Sequence, residues 1–174
     1  MPKIIDLQGL AEDSWKVIEV AANEAPEDVR LPVGPLLVPL AVWQARREDL
    51  IRRNWEHGEP LGVWLAPGDN PEAIAADLED LSLIAVQFPK FSDGRGYSTA
   101  RLLRERLGYR NELRAFGDVG RDQLFFLGRV GFDTFALAVE DDNDEDLLAS
   151  LAAFPEVYQG AVRQPQPLFR RRIA

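Results

Sequence analysis

From residue 61 onward, short β-rich apolar runs alternate with helix-like amphipathic stretches, and this pattern limits the fold more than any other feature. Leu61 to Leu65, Leu83 to Gln87, Glu112 to Phe116 and Thr134 to Val139 each have the length and composition of a buried strand. Helical signals lie between and after them. Asn70 before Pro71 marks a helix start, and Ile74, Leu78 and Leu81 form its stripe. Ala100, Leu103 and Leu107 mark a second helix, capped by Ser98 and ended by Gly108. Val119 to Val130 is a third, capped by Asp118 and stopped at Gly131, and Glu145 to Phe154 is a fourth. Four consecutive β-α units imply right-handed crossovers and a mostly parallel α/β sheet. A closed eight-stranded β/α barrel needs about 250 residues. A chain of 174 residues therefore points to an open sheet, or to a half-barrel that completes itself as a homodimer.

The first sixty residues read differently. Lys3 to Leu7 and Trp15 to Val20 are strand-like, with a turn over Gly9 to Ser14, and predict an N-terminal hairpin. Leu36 to Val38 is a short strand. Pro39 suits a first helical position, and Leu40, Trp43, Leu50, Ile51 and Trp55 recur at helical spacing among solvated arginines. His57 sits where it would cap that helix's last carbonyls. We expect one α/β domain over residues 1–158, with the hairpin and helix in 1–60 and the β-α core in 61–158. Residues 159–174, which carry Pro165, Pro167 and Arg170 to Arg172, read as a basic arm, mobile or docked on a partner.

Composition removes several function classes. The formal net charge of -9 argues against nucleic acid as a partner. The absence of cysteine excludes disulfides, thiolate catalysis and Cys-ligated metals, and fits a cytoplasmic setting. No signal peptide or membrane span is expected. The acidic run Asp141 to Asp146 complements a helix N-terminus. As a calcium loop it would lack the glycine at position 6 and the glutamate at position 12. We expect no metal site and no cofactor.

The strands' carboxyl ends would share one rim, carrying Asp69, the loop from Lys90 to Arg95, Asp118, Glu140 and Asp141. Lys90, Arg95, Arg101, Ser92 and Ser98 are anion-binding candidates, because a small anion needs cations, hydroxyls and close backbone approach, which Gly94 and Gly96 permit. Arg101, in a first helical turn, needs a bound anion or an internal partner such as Asp93 or Asp118. Asp93, Asp118 and Asp122 are carboxylate candidates. Ser98 has no nearby histidine to activate it, and Gly94-Arg95-Gly96 lacks the spacing of phosphate-binding fingerprints. Arg114, inside a strand, requires an ion-pair partner, for which Asp118, Asp122 and Asp133 are the supply. No residue can be assigned a catalytic role.

The run from Phe88 to Ser98 with Ala100 to Arg104 resembles a bacterial family, domain of unknown function 934. Glu112 to Ala115, Gly117 to Val119, Asp122-Gln123 and Gly131 to Asp133 follow in the family's order, so the resemblance covers roughly residues 30 to 158. Asn111 stands where glycine is commoner, and Val130 where cysteine is frequent. Genes of this family tend to neighbour those for sulfite reductase. The resemblance thus implies an accessory protein of assimilatory sulfite reduction, a possible oxidoreductase component acting with sulfite reductase or its electron donor. Two alternatives stand beside it: an enzyme or sensor that binds sulfate, sulfite or phosphate through the 90–101 loop, and a non-catalytic structural or interaction protein.

Overall fold

A computed structural model describes residues 3–137, 144–152 and 157–171. Its eight strands are β1 (Lys3–Asp6), β2 (Leu10–Ala11), β3 (Lys16–Val17), β4 (Leu36–Pro39), β5 (Leu61–Leu65), β6 (Leu83–Phe88), β7 (Glu112–Gly117) and β8 (Thr134–Leu137). They form one sheet in the order β2-β1-β8-β7-β6-β5-β4-β3. From β3 to β8 every pairing is parallel, and β1 runs antiparallel to both β8 and β2. The mostly parallel α/β expectation holds.

The helices are α1 (Leu40–His57), α2 (Arg95–Arg101), α3 (Leu124–Val130), α4 (Asp144–Leu151) and the single turn α5 (Leu168–Arg171). A π turn, Leu102–Arg106, continues α2, with the amide of Leu107 donating to the carbonyl of Leu102 at 3.0 Å. Alternation along the strands sorts the side chains. Val63, Leu65, Ile84, Val86, Leu113, Ala115 and Phe135 face the large core shared with the helices. Leu37, Leu83 and Ala85, with Trp15, Trp64 and Phe116, form a smaller cluster on the opposite face.

Chain length dictates the curvature. Eight flat strands would span roughly 34 Å from edge to edge. The chain passes from Ala11 on one edge to Lys16 on the other, a step that reaches at most about 18 Å when extended. The sheet therefore curls into a half-barrel, concave toward the face that residues 12–15 cross. This corrects the expected hairpin. Lys3–Asp6 does form one, but with Leu10–Ala11, while Lys16–Val17 pairs in parallel with Leu36–Leu37 at the far edge. Trp15 to Val20 is β-rich because it packs on both faces of the sheet edge: Trp15 joins the smaller cluster on the concave face, Ile18 and Val20 join the helix-side core, and the carbonyl of Ile18 accepts the Trp64 indole at 3.0 Å.

A second correction falls after β5. Asn70 does cap, its side chain accepting the Glu72 amide at 3.0 Å, but only the 3-10 turn Pro71–Ile74 follows. Successive turns then carry Asp77 inward, where it accepts the Trp43 indole at 3.0 Å and pairs with Arg47. An unpartnered indole N–H at a site as buried as Trp43 would cost about 1–3 kcal/mol, which outweighs one more helical turn.

At the C-terminus, residues 157–171 fold back on themselves. Ala161 and Gln164 exchange backbone hydrogen bonds, the amide of Leu168 donates to the carbonyl of Tyr158, and the rings of Tyr158 and Phe169 lie 6.4 Å apart. The expected arm is thus, in its described part, a closed loop lying on the protein's own helices. Residues 138–139 of the last expected strand, Glu140, Asp141 and Phe154 lie outside the described residues, as does Arg172.

Candidate functional site

Side chains stitch the carboxyl-end loops together. After β6, the Asp93 carboxylate accepts the Arg95 amide at 3.1 Å and holds that residue's guanidinium through Nε at 2.9 Å and Nη2 at 2.6 Å. These side-chain bonds, then the backbone bond, pull the Asp93 carboxyl from 3.8 to about 2. Arg95 Nη1 reaches the carbonyl of Pro67, in the loop after β5, at 3.5 Å. At the last position of β7, Gly117 adopts φ +103° and lets the Asp118 amide donate to the carbonyl of Phe88 at 2.7 Å. The Asp118 carboxylate then accepts the Phe91 amide at 2.8 Å, and Gln123 Nε2 donates to the Phe91 carbonyl at 3.1 Å. Phe91 is thus clamped at both backbone polar groups while its ring stays 55% exposed.

The structure distributes the sequence-derived residues unevenly. Lys90, Ser92, Asp93 and Arg95 share the loop, where Lys90 and Ser92 are exposed and Lys90 makes no ion pair among the described residues. Asp118 lies beside that loop. Asp122 is exposed, and its charge adds to burial in raising the pKa of the Tyr97 hydroxyl. Arg101 departs from expectation: it pairs with Glu105 at 2.7 Å, one turn along, rather than with Asp93 or Asp118. Ser98 is no cap. The helix begins at Arg95, whose amide Asp93 already satisfies, so Ser98 lies within the helix and faces solvent. Nor does Asp118 cap a helix; its carboxylate is engaged by Phe91, and a 3-10 turn, Arg121–Gln123, leads into α3.

Arg114 does sit in an ion-pair network, but with other carboxylates. Its Nη1 lies 3.0 Å from Asp13 and its Nη2 2.9 Å from Glu112, while Thr134 bridges to Glu112 at 2.6 Å. The alternation explains why. Leu113 and Ala115 face the helices, so Arg114 faces the concave side, away from Asp118 and Asp122 on the rim.

Asp133 serves a network that the sequence reading missed. Arg104, 8% exposed, donates to the carbonyls of Gly131, Tyr109 and Asn111 at 2.8 to 2.9 Å and pairs with Asp133. Asp133 also accepts the Leu113 amide at 2.9 Å and pairs with Arg163 of the C-terminal loop at 2.8 Å. The available signal was position: Arg104 falls on the buried stripe of Ala100, Leu103 and Leu107. Between this loop, α2 and α3 lies a mostly apolar cleft of about 320 Å³. Of the sequence-derived residues, Arg101 alone lines it.

Among the described residues no group of three or more His, Asp or Glu is placed to hold a metal ion, and no helix is long and apolar enough to cross a membrane. A family model described as "Bacterial protein of unknown function (DUF934)" matches residues 62–169, well over half of the chain. No curated protein matches it.

Proposed function

We propose that this chain, which belongs to the DUF934 family of bacterial proteins, is a cytoplasmic accessory protein of assimilatory sulfite reduction that docks on sulfite reductase or its electron donor. The observation that carries the docking role is Phe91. Side chains from another segment fix both the amide and the carbonyl of Phe91, so its half-exposed side chain is presented to solvent from a pre-ordered backbone. Pre-ordering of this kind lowers the entropic cost of association, and aromatic side chains dominate binding energies at interfaces. Lys90, exposed beside it, supplies a cation for a charged rim. The rim carboxylates Asp93 and Asp118 hold the loop in place, which fits a binding element better than an acid–base pair. The pathway assignment rests on the family resemblance. Deletion of the gene is the test: growth on sulfate should fall while growth on sulfide or cysteine stays normal, and unimpaired growth on sulfate would overturn the assignment.

A second reading is favoured by Lys90 and Arg95. Both cations remain exposed, Lys90 without an ion pair among the described residues, so the loop can still receive sulfite, sulfate or phosphate. Saturable thermal stabilisation by one of these anions, lost in Lys90→Ala, would support it. A flat response to all three would remove it.

A further inference from the structure

The cleft between the C-terminal loop and the helices is independent of the docking role, and its lining has a definite chemistry. The loop is fastened by Arg163 on Asp133 and on the carbonyl of Phe132 at 2.6 Å, and, at the edge of the cleft, by Arg129 on the carbonyl of Gln159 at 2.8 Å. Between these fastenings the loop stands off the helices. The space of about 320 Å³ left beneath it is walled chiefly by Phe126, Val130 and Val162, and Phe126 is 51% exposed. This volume is at the small end of ligand sites, enough for one ring or a branched chain.

Arg101 and Arg129 line the same cleft with a single carboxylate, Glu105, so the lining is net positive in a chain whose formal charge is -9. Neither guanidinium is exhausted. Among the described residues Arg101 uses only Nε, on Glu105, and Arg129 only one Nη, on Gln159. Each retains donors suited to an anionic oxygen pair. An adjoining space of about 420 Å³ shares Arg101 and adds Arg110, which forms no ion pair among the described residues. Arg101 and Glu105 meet across the junction of α2 with the π turn, a distortion that recurs at functional sites.

We propose that this cleft binds a small organic monoanion, with an aromatic or branched aliphatic body against Phe126, Val130 and Val162 and a carboxylate or sulfonate group on Arg101 and Arg129. A bare inorganic anion would leave the apolar wall unused, so it should bind more weakly.

The test is a calorimetric titration with phenylacetate, followed by competition with benzenesulfonate, acetate and sulfate. We expect saturable binding of one phenylacetate per chain, displaced by benzenesulfonate well below the concentrations of acetate or sulfate needed. In Arg101→Gln/Arg129→Gln, affinity should fall about tenfold or more, as expected for lost charge-assisted bonds. Arg52→Gln, on α1 and outside the cleft, should stay within about twofold. Ala161→Phe, which fills the cleft, should abolish binding and provides the readout if the double variant does not fold. Unsaturable binding, equal displacement by sulfate, or unchanged affinity in the folded double variant or in Ala161→Phe would overturn the proposal.

Discussion

Arg114 and Asp13, 101 positions apart in the chain, meet at 3.0 Å across the concave face of the half-barrel. This pair ties the segment that joins the two sheet edges to a central strand. The Arg114 side chain is 5% exposed, so it depends on its carboxylates. Asp13→Ala should cost roughly 1–3 kcal/mol, less than full loss of a buried partner because Glu112 remains. Arg114→Met with Asp13→Ala should be less destabilising than the two single losses summed. Urea unfolding of the double-mutant cycle measures this, and strict additivity would show that the pair does not couple.

Gly117 should tolerate no side chain. At φ +103° a Cβ would be forced into the carbonyl oxygen of Phe88, the group that receives the Asp118 amide. Gly117→Ala should lower stability by roughly 2–3 kcal/mol and displace the clamp on Phe91. A hydrogen-exchange comparison would show faster exchange of the Phe91 amide. Gly94→Ala meets open space and should be nearly silent in both measurements.

Acid should weaken the fold through carboxylates whose folded pKa is depressed. Asp93, near 2 beside Arg95, and Asp77, lowered chiefly by its bond to Arg47, remain charged in the native state at pH values where the unfolded chain takes up protons. Their contribution is complete above the ordinary value of 3.8 and disappears as pH falls through the lower native values. Denaturation midpoints should therefore drop between about pH 5 and pH 2, and Asp77→Asn should flatten that slope while lowering stability at neutral pH. An equally steep slope in Asp77→Asn would contradict the assignment to Asp77.

The two partners of Asp133 should separate in their effects. Arg163→Gln removes a fastening of the C-terminal loop, so limited proteolysis should cut residues 157–171 sooner with little change in the unfolding midpoint. Asp133→Ala also strips the buried Arg104 of its carboxylate and the Leu113 amide of its acceptor, and should cost about 3 kcal/mol or more. Equal unfolding midpoints for the two variants would contradict this division.

These features differ in how far the sequence discloses them. The β-α alternation is legible because burial on the helix-facing side imposes apolar runs such as Leu83 to Val86, whatever else the chain does. The route of residues 12–15 is not, because a strand's composition records its burial and not which edge it joins; Trp15 to Val20 carries the same signal for a hairpin as for a crossing. The turn series at Asp77 shows tertiary need overriding a sound local signature, since Trp43 and Arg47 lie more than 29 residues away. At the rim, the loop's position was readable from its place after a strand, but the pairing of Arg101 with Glu105 followed from where α2 begins, which the Asp93 turn sets. The cleft beneath the C-terminal loop required knowing that the loop returns to α2 and α3, which a proline-containing basic segment does not encode locally.

The docking role proposed for Phe91 admits a direct measurement: sulfite reductase holoenzyme and its electron donor titrated with this protein, wild type and Phe91→Ala, by sedimentation or calorimetry. Because the Phe91 side chain is half exposed and its backbone bonds survive the substitution, Phe91→Ala should fold with an unchanged unfolding midpoint. The account predicts saturable binding of the wild type to the reductase or the donor, weakened about tenfold or more in Phe91→Ala. No binding to either protein, or equal binding by both forms, would contradict it.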